Sequence, residues 1–144
     1  MYNFDDYNAF AAKMHEKFPK IFSEKYGGFS IGPGWWHIVE SLCNHIQGYI
    51  DYVNKRRNLL LEDNPHNVAI PDEVPQVIVG QIKEKFGGLR FYYDGGDEKI
   101  DGMVQLAEAW AAHTCDVCGS KGKSRADGWI RTLCDEHHEE RKNK

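Results

Sequence analysis

The chain has 144 residues, of which 41% are hydrophobic, 28% charged and 12% aromatic, and its net charge is -4. That length holds one compact domain, or one domain with a small metal-stapled appendage, and the composition excludes a disordered chain. The negative balance also excludes the broad basic field of a non-specific nucleic-acid binder, so an anionic partner has to meet a local patch.

The opening MYNFDDYNAF is acidic and aromatic where a signal peptide is basic and then apolar, and no membrane-length apolar run follows. Both features point to a cytoplasmic protein with no membrane association. Tyr7, Phe10, Ala11, Met14 and Phe18 recur at spacings of three and four, which predicts an amphipathic helix over 5–18 capped by Asp5 or Asp6. Pro19 interrupts it, and Gly27, Gly28, Gly32, Pro33 and Gly34 predict a tight loop.

The strongest helical signal follows. Trp36, Val39, Cys43, Ile46, Ile50 and Val53 form one stripe, widened by Leu42 and Tyr49, and predict a helix over 35–57. Lys55, Arg56 and Arg57 would then suit the negative end of its dipole, with no ligand needed to explain them. Residues 58–75 are polar and proline-marked, a flap or a spacer. Val77, Ile78, Val79 and Ile82, then Leu89, Phe91 and Tyr93, predict two strands around the Gly87-Gly88 turn, a β-hairpin. Ile100, Met103, Val104, Ala107, Trp110 and Ala111 share a helical face from about Asp97 to His113, with Asp97 or Glu98 as its cap.

Cys115 and Cys118 stand two residues apart, with Gly119 placed to complete the turn. Two thiolates at that gap can bite one tetrahedral metal ion while the backbone between them turns. Cys134 and His137 repeat the gap, with His138 as the neighbouring alternative. Free buried thiols or disulfides are the competing explanation, and an odd number of local cysteines in a reducing compartment weighs against it. Four protein ligands, three of them thiolates, fit a closed structural zinc site better than a catalytic one, which keeps a position for water. The predicted fold is therefore α+β: helices packed on a β-hairpin over 1–113, closed by a treble-clef-like zinc-finger element over 114–144.

No nucleophile–histidine–carboxylate set, phosphate-loop signature or dinucleotide fingerprint is present, so the chain reads as a non-enzyme. Lys83, Lys85 and Arg90 surround the double-glycine turn beside Phe86, Tyr92 and Tyr93, and Trp129 and Arg131 repeat the pairing of aromatic and cation on the finger. Cations complement phosphate and aromatic faces stack on bases, so these residues are candidates for a nucleotide-type ligand. Trp35 and Trp36 join them, because adjacent helical residues cannot both face one core. Packing between the helix and the finger is the competing explanation for both indoles.

The stretches GWWHIVESLCNHI, QIKEKFGGLRFYYDGGD and TCDVCG followed by GWIRTLCDEH resemble a widespread group of small phage and bacterial proteins with a zinc-finger-tailed domain of uncharacterised function. The resemblance spans residues 34–137. It implies a zinc site and no assigned chemistry, and members of the group close the finger with a fourth cysteine where this chain has His137. A phage origin in turn implies counter-defence, with the protein sequestering a cyclic nucleotide or ADP-ribose derivative used as an immune signal. An adaptor for nucleic acid or a host protein, reading through Lys121, Lys123, Arg125 and Arg131, is the alternative. A metal-dependent nuclease using His137 or His138 is the third. Self-association is left open.

Overall fold

A computed structural model describes residues 4–23 and 26–143 of the chain. Mixed helix and sheet are observed: the described residues form four α-helices, a three-stranded sheet and a two-stranded sheet.

Helix α1 (Phe4–Lys17) buries Phe10 and Met14, continued by Phe18 beyond its end. The glycine-rich segment that follows is not wholly a loop. Phe29–Ser30 form strand β1, which runs parallel to strand β2 (Ile78–Lys85) with Phe29 opposite Ile82. Tertiary contacts make this strand: the buried Phe29 ring packs on Phe10 at 4.9 Å, and its amide donates to the Tyr7 hydroxyl at 3.0 Å.

A short 3-10 turn, Pro33–Trp35, leads into helix α2 (Trp36–Glu62). The stripe read from the sequence is the buried face, with Ile38, Val39, Leu42, Cys43, Ile46 and Ile50 in the core. The helix runs past 57, because Asn58 to Glu62 contain three leucines and no breaker before Asp63. Lys55, Arg56 and Arg57 therefore do not form its last turn. Arg57 instead donates to the Pro71 carbonyl at 2.8 Å. Asn54 exchanges two hydrogen bonds with the backbone of Val74, at 3.0 and 2.8 Å. The connection after α2 is thus strapped along the helix, with Val74 buried.

Strand β2 pairs antiparallel with strand β3 (Gly88–Asp94), and the connecting turn is Phe86-Gly87 rather than the two glycines. Val79, Ile82, Leu89 and Phe91 point inward. Helix α3 (Glu98–Ala111) starts at Asp97, whose carboxylate accepts from the amides of Lys99 and Ile100 and from the Tyr49 hydroxyl of α2. Glu108 of α3 accepts the Phe91 amide at 3.1 Å, satisfying a donor of the sheet.

The last segment carries strands β4 (Lys123–Arg125) and β5 (Arg131–Leu133), antiparallel to each other, and helix α4 (Asp135–Lys142). Its buried apolar cluster is small, comprising Cys115, Leu133 and Cys134 with Val117 against them. So few side chains cannot hold such a segment by burial alone.

Backbone and indole contacts anchor it to the body. Gly34 donates to the Asp116 carbonyl at 2.9 Å, and the Trp35 indole donates to the Thr114 carbonyl at 2.8 Å. A side chain at Gly34 would put its Cβ 2.0 Å from the Cys115 carbonyl oxygen, so only glycine permits this approach.

Candidate metal centre and ligand surface

Cys115 and Cys118 lie on the turn that opens the C-terminal segment, and Gly119 completes that turn with a φ of 82°. Cys134 is the N-cap of α4, which makes His137 the third residue of the helix. That relation brings the two side chains together: the Cys134 sulfur accepts the His137 amide at 3.4 Å and lies 3.2 Å from its Nδ1. The positive end of the helix also favours a thiolate at this position.

The donor atoms of Cys115, Cys118, Cys134 and His137 all lie within 4.8 Å of one another, so the four can hold one metal ion. The Cys118 and Cys134 sulfurs are 3.8 Å apart, and the Cys115 sulfur is 3.6 Å from His137 Nδ1. His137 directs Nδ1 to the cluster and leaves Nε2 facing Glu140 at 3.8 Å. His138 takes no part. Its Nε2 meets the Asp127 carboxylate at 2.8 Å and its Nδ1 meets Arg125 at 3.2 Å.

The thiols differ in their readiness to ionise. Burial pushes the Cys118 thiol up, but hydrogen bonds with the Ser120 side chain and backbone, and then with Cys115 and Cys134, outweigh it and bring the group down to about 6. Burial holds the Cys134 thiol above its ordinary value, and the neighbouring thiols add to the effect. Cys43 lies apart in the main core, where burial raises its thiol.

The candidate ligand residues divide into three groups. Trp35 is wholly buried with its indole engaged by Thr114, which removes it from any ligand surface. Trp36 is half-buried against the core and stacks on Phe10, with ring centroids 4.6 Å apart at 2°. These two are packing residues.

Lys83, Lys85, Arg90 and Tyr92 share the outer face of the sheet. Lys83 stands directly opposite Arg90, and Gln81 opposite Tyr92. The Lys83 ammonium lies 6.0 Å from the centre of the Tyr92 ring, and the Arg90 guanidinium donates to the Leu89 carbonyl at 3.1 Å. Among the described residues, no carboxylate forms an ion pair with these three cations.

Trp129 and Arg131 fall on the far side of β2, beside Glu84. Arg131 is already committed: its guanidinium binds the buried Asp116 carboxylate at 2.5 and 3.3 Å. Trp129 is 77% exposed. Arg125 is spent as well, on the Leu133 carbonyl and on Asp135 at 2.7 Å. Sequence reasoning passed over Glu84 and Asp116. It named Phe86 among the aromatics beside the turn but placed the turn itself at Gly87-Gly88, one residue late. The partners of Asp116 and Glu84 lie too far along the chain to be read.

Searches against protein-family models, curated proteins and solved structures found no match to this chain. No helix among the described residues is long and apolar enough to cross a membrane.

Proposed function

We propose that this chain is a non-enzymatic, zinc-stabilised binding protein that holds a nucleotide-type ligand by its phosphates on the outer face of β2 and β3. The observation that carries this reading is the cross-strand pairing of Lys83 with Arg90, with Lys85 one step along the same face. Like charges set opposite each other destabilise a sheet, so an anion that neutralises them is the natural complement. Tyr92 offers an aromatic face beside them.

Zinc is the metal that best suits the donor set. Zinc–sulfur bonds of about 2.3 Å and zinc–nitrogen bonds of about 2.0–2.1 Å in a tetrahedron place sulfurs about 3.8 Å apart and sulfur about 3.6 Å from nitrogen. The Cys118–Cys134 and Cys115–His137 separations of 3.8 and 3.6 Å match these values, while the Cys134 sulfur lies nearer His137 Nδ1, at 3.2 Å, and would move outward around an ion. Three thiolates and an imidazole close the tetrahedron, which gives the ion a folding role. The order of turn, strand pair and helix-borne ligands is treble-clef-like, and the zinc takes the place of the core this segment lacks.

The finger is a poorer reader of nucleic acid than its cations suggest, since Arg125 and Arg131 are bound internally and Lys121 and Lys123 are what is left of the four. The nuclease reading has no histidine to spare: His137 sits in the cluster and His138 between Asp127 and Arg125. Resemblance to phage proteins extends the proposal to sequestration of a nucleotide immune signal.

Calorimetry of the zinc-loaded protein against cyclic nucleotides and ADP-ribose derivatives tests it. At least one should bind, and Arg90→Ala or Lys85→Ala should weaken binding about ten-fold or more, the loss of one charge-assisted contact. Silence across the panel, or binding indifferent to both substitutions, contradicts it.

A further inference from the structure

The turn between β2 and β3 contains a residue that neither its backbone nor its packing selects. Phe86 has a φ of 53° and Gly87 a φ of 78°, so both central positions of the turn are left-handed. Such turns favour asparagine, aspartate or glycine at the first position, and a bulky side chain there is strained. Burial does not compensate, because Phe86 is 73% exposed. The Lys85 ammonium lies 5.9 Å from the centre of the Phe86 ring, an exposed contact too weak to offset the turn strain, and a residue that costs stability locally without burial in return is a mark of function.

Phe86 shares a cleft with a second exposed ring, Trp129. A cleft of about 390 Å³ lies between the turn and the finger, lined by Glu84, Lys85, Phe86, Gly128, Trp129 and Ile130. Trp129 is fixed in place through its backbone: Arg141 donates to the carbonyls of Trp129 and Asp127, each at 2.7 Å. The loop is thus braced while the indole stays bare. Glu84 accepts the Gly87 amide through Oε2 at 2.7 Å, and its Oε1 has no hydrogen-bond partner among the described residues. Lys85 lines the cleft and also belongs to the cationic row on β2, so the two surfaces meet at this residue.

We infer that this cleft stacks the planar ring of a nucleoside between Phe86 and Trp129, with Glu84 accepting a ring or exocyclic N–H and Lys85 marking the side toward the phosphates. Base–aromatic stacking is tolerant of base identity, and a carboxylate on the wall favours an N–H donor over a phosphate in the cleft itself. The choice of a nucleoside over another planar ring rests on the nucleotide reading above. The cleft rests on its own residues.

Calorimetry of zinc-loaded protein with adenosine, guanosine, cytidine and uridine, their 5′-monophosphates, and inorganic pyrophosphate separates the two. The inference expects at least one nucleoside to bind and Phe86→Asn to weaken it about ten-fold or more, while the thermal midpoint stays level or rises because asparagine suits the turn. Trp129→Phe should keep binding and Trp129→Ala should lose it. 5′-Monophosphates that bind no tighter than their nucleosides and ignore Lys83→Ala and Arg90→Ala, with no pyrophosphate binding, would leave the cleft standing and refute the cationic row. Binding of pyrophosphate without any nucleoside would do the reverse. No nucleoside binding, or binding by Phe86→Asn and Trp129→Ala as tight as by the wild type, overturns the inference.

Discussion

The Thr132 hydroxyl donates to the Gly87 carbonyl at 2.7 Å, joining the middle of β5 in the finger to the turn between β2 and β3. Both groups are buried, and they tie the C-terminal segment to the sheet that carries the proposed ligand surface. Thr132→Val keeps the shape and removes the donor, leaving a buried carbonyl without its partner. Urea unfolding should show a loss of about 1–2 kcal/mol. No loss would mean that water serves the carbonyl equally well.

Two glycines should respond in opposite ways to the same substitution. At Gly34 a Cβ would stand 2.0 Å from the Cys115 carbonyl oxygen and 2.7 Å from the Gly119 nitrogen, both backbone atoms of the turn that carries Cys115 and Cys118. Gly34→Ala should destabilise by about 2–4 kcal/mol by prising the finger from the body. Gly48 lies within α2, where an added methyl would meet nothing within 4 Å. Gly48→Ala should stabilise by about 0.5–1 kcal/mol through helix propensity. Urea midpoints that move together would contradict the docking geometry.

Helices α1 and α2 are bridged by Lys13 and Lys17, which hold Glu40 at 2.9 and 3.0 Å. The Lys13 hydrogen bond lowers the Glu40 carboxyl below its ordinary 4.5; burial opposes it, and the Lys17 hydrogen bond and both ammonium charges carry the balance downward. A carboxylate whose folded pKa lies below its unfolded value contributes stability above the unfolded pKa and loses it as pH falls through the folded one. Both lysines are well exposed, so the contribution is under about 1 kcal/mol. Wild type should therefore exceed Glu40→Gln in urea stability at neutral pH, with the gap closing below pH 4.5. The difference between the two proteins is the readout, because thiolates of the proposed metal site would also protonate in acid. A gap that persists at low pH would mean that the bridge is not its source.

Periodicity made the core face of α2 and the inward residues of α3 legible, because burial on a regular helix repeats along the chain. Strand β1 was not legible, since two residues become a strand only when Phe29 meets α1 and Ile82. Nor could adjacent indoles be told apart. Trp35 is buried because the Thr114 carbonyl, distant in sequence, receives its N–H, while Trp36 turns to Phe10. The metal cluster was legible from spacing, and the choice of His137 over His138 followed once Cys134 was placed at the cap of α4. Arg125 and Arg131 read as free cations for the same reason that Trp35 read as a ligand residue: Asp135 and Asp116 answer them only in the folded chain.

Everything proposed for the finger and the cleft beside it depends on the cluster of Cys115, Cys118, Cys134 and His137 holding one zinc ion. Native mass spectrometry of the protein purified under reducing conditions tests this directly, together with Cys118→Ser. The expected result is one zinc per chain, lost in the variant along with its cooperative unfolding transition. A metal-free chain that unfolds as cooperatively as the metal-loaded one, or a chain lighter by the two hydrogens of a disulfide between Cys118 and Cys134, would contradict it.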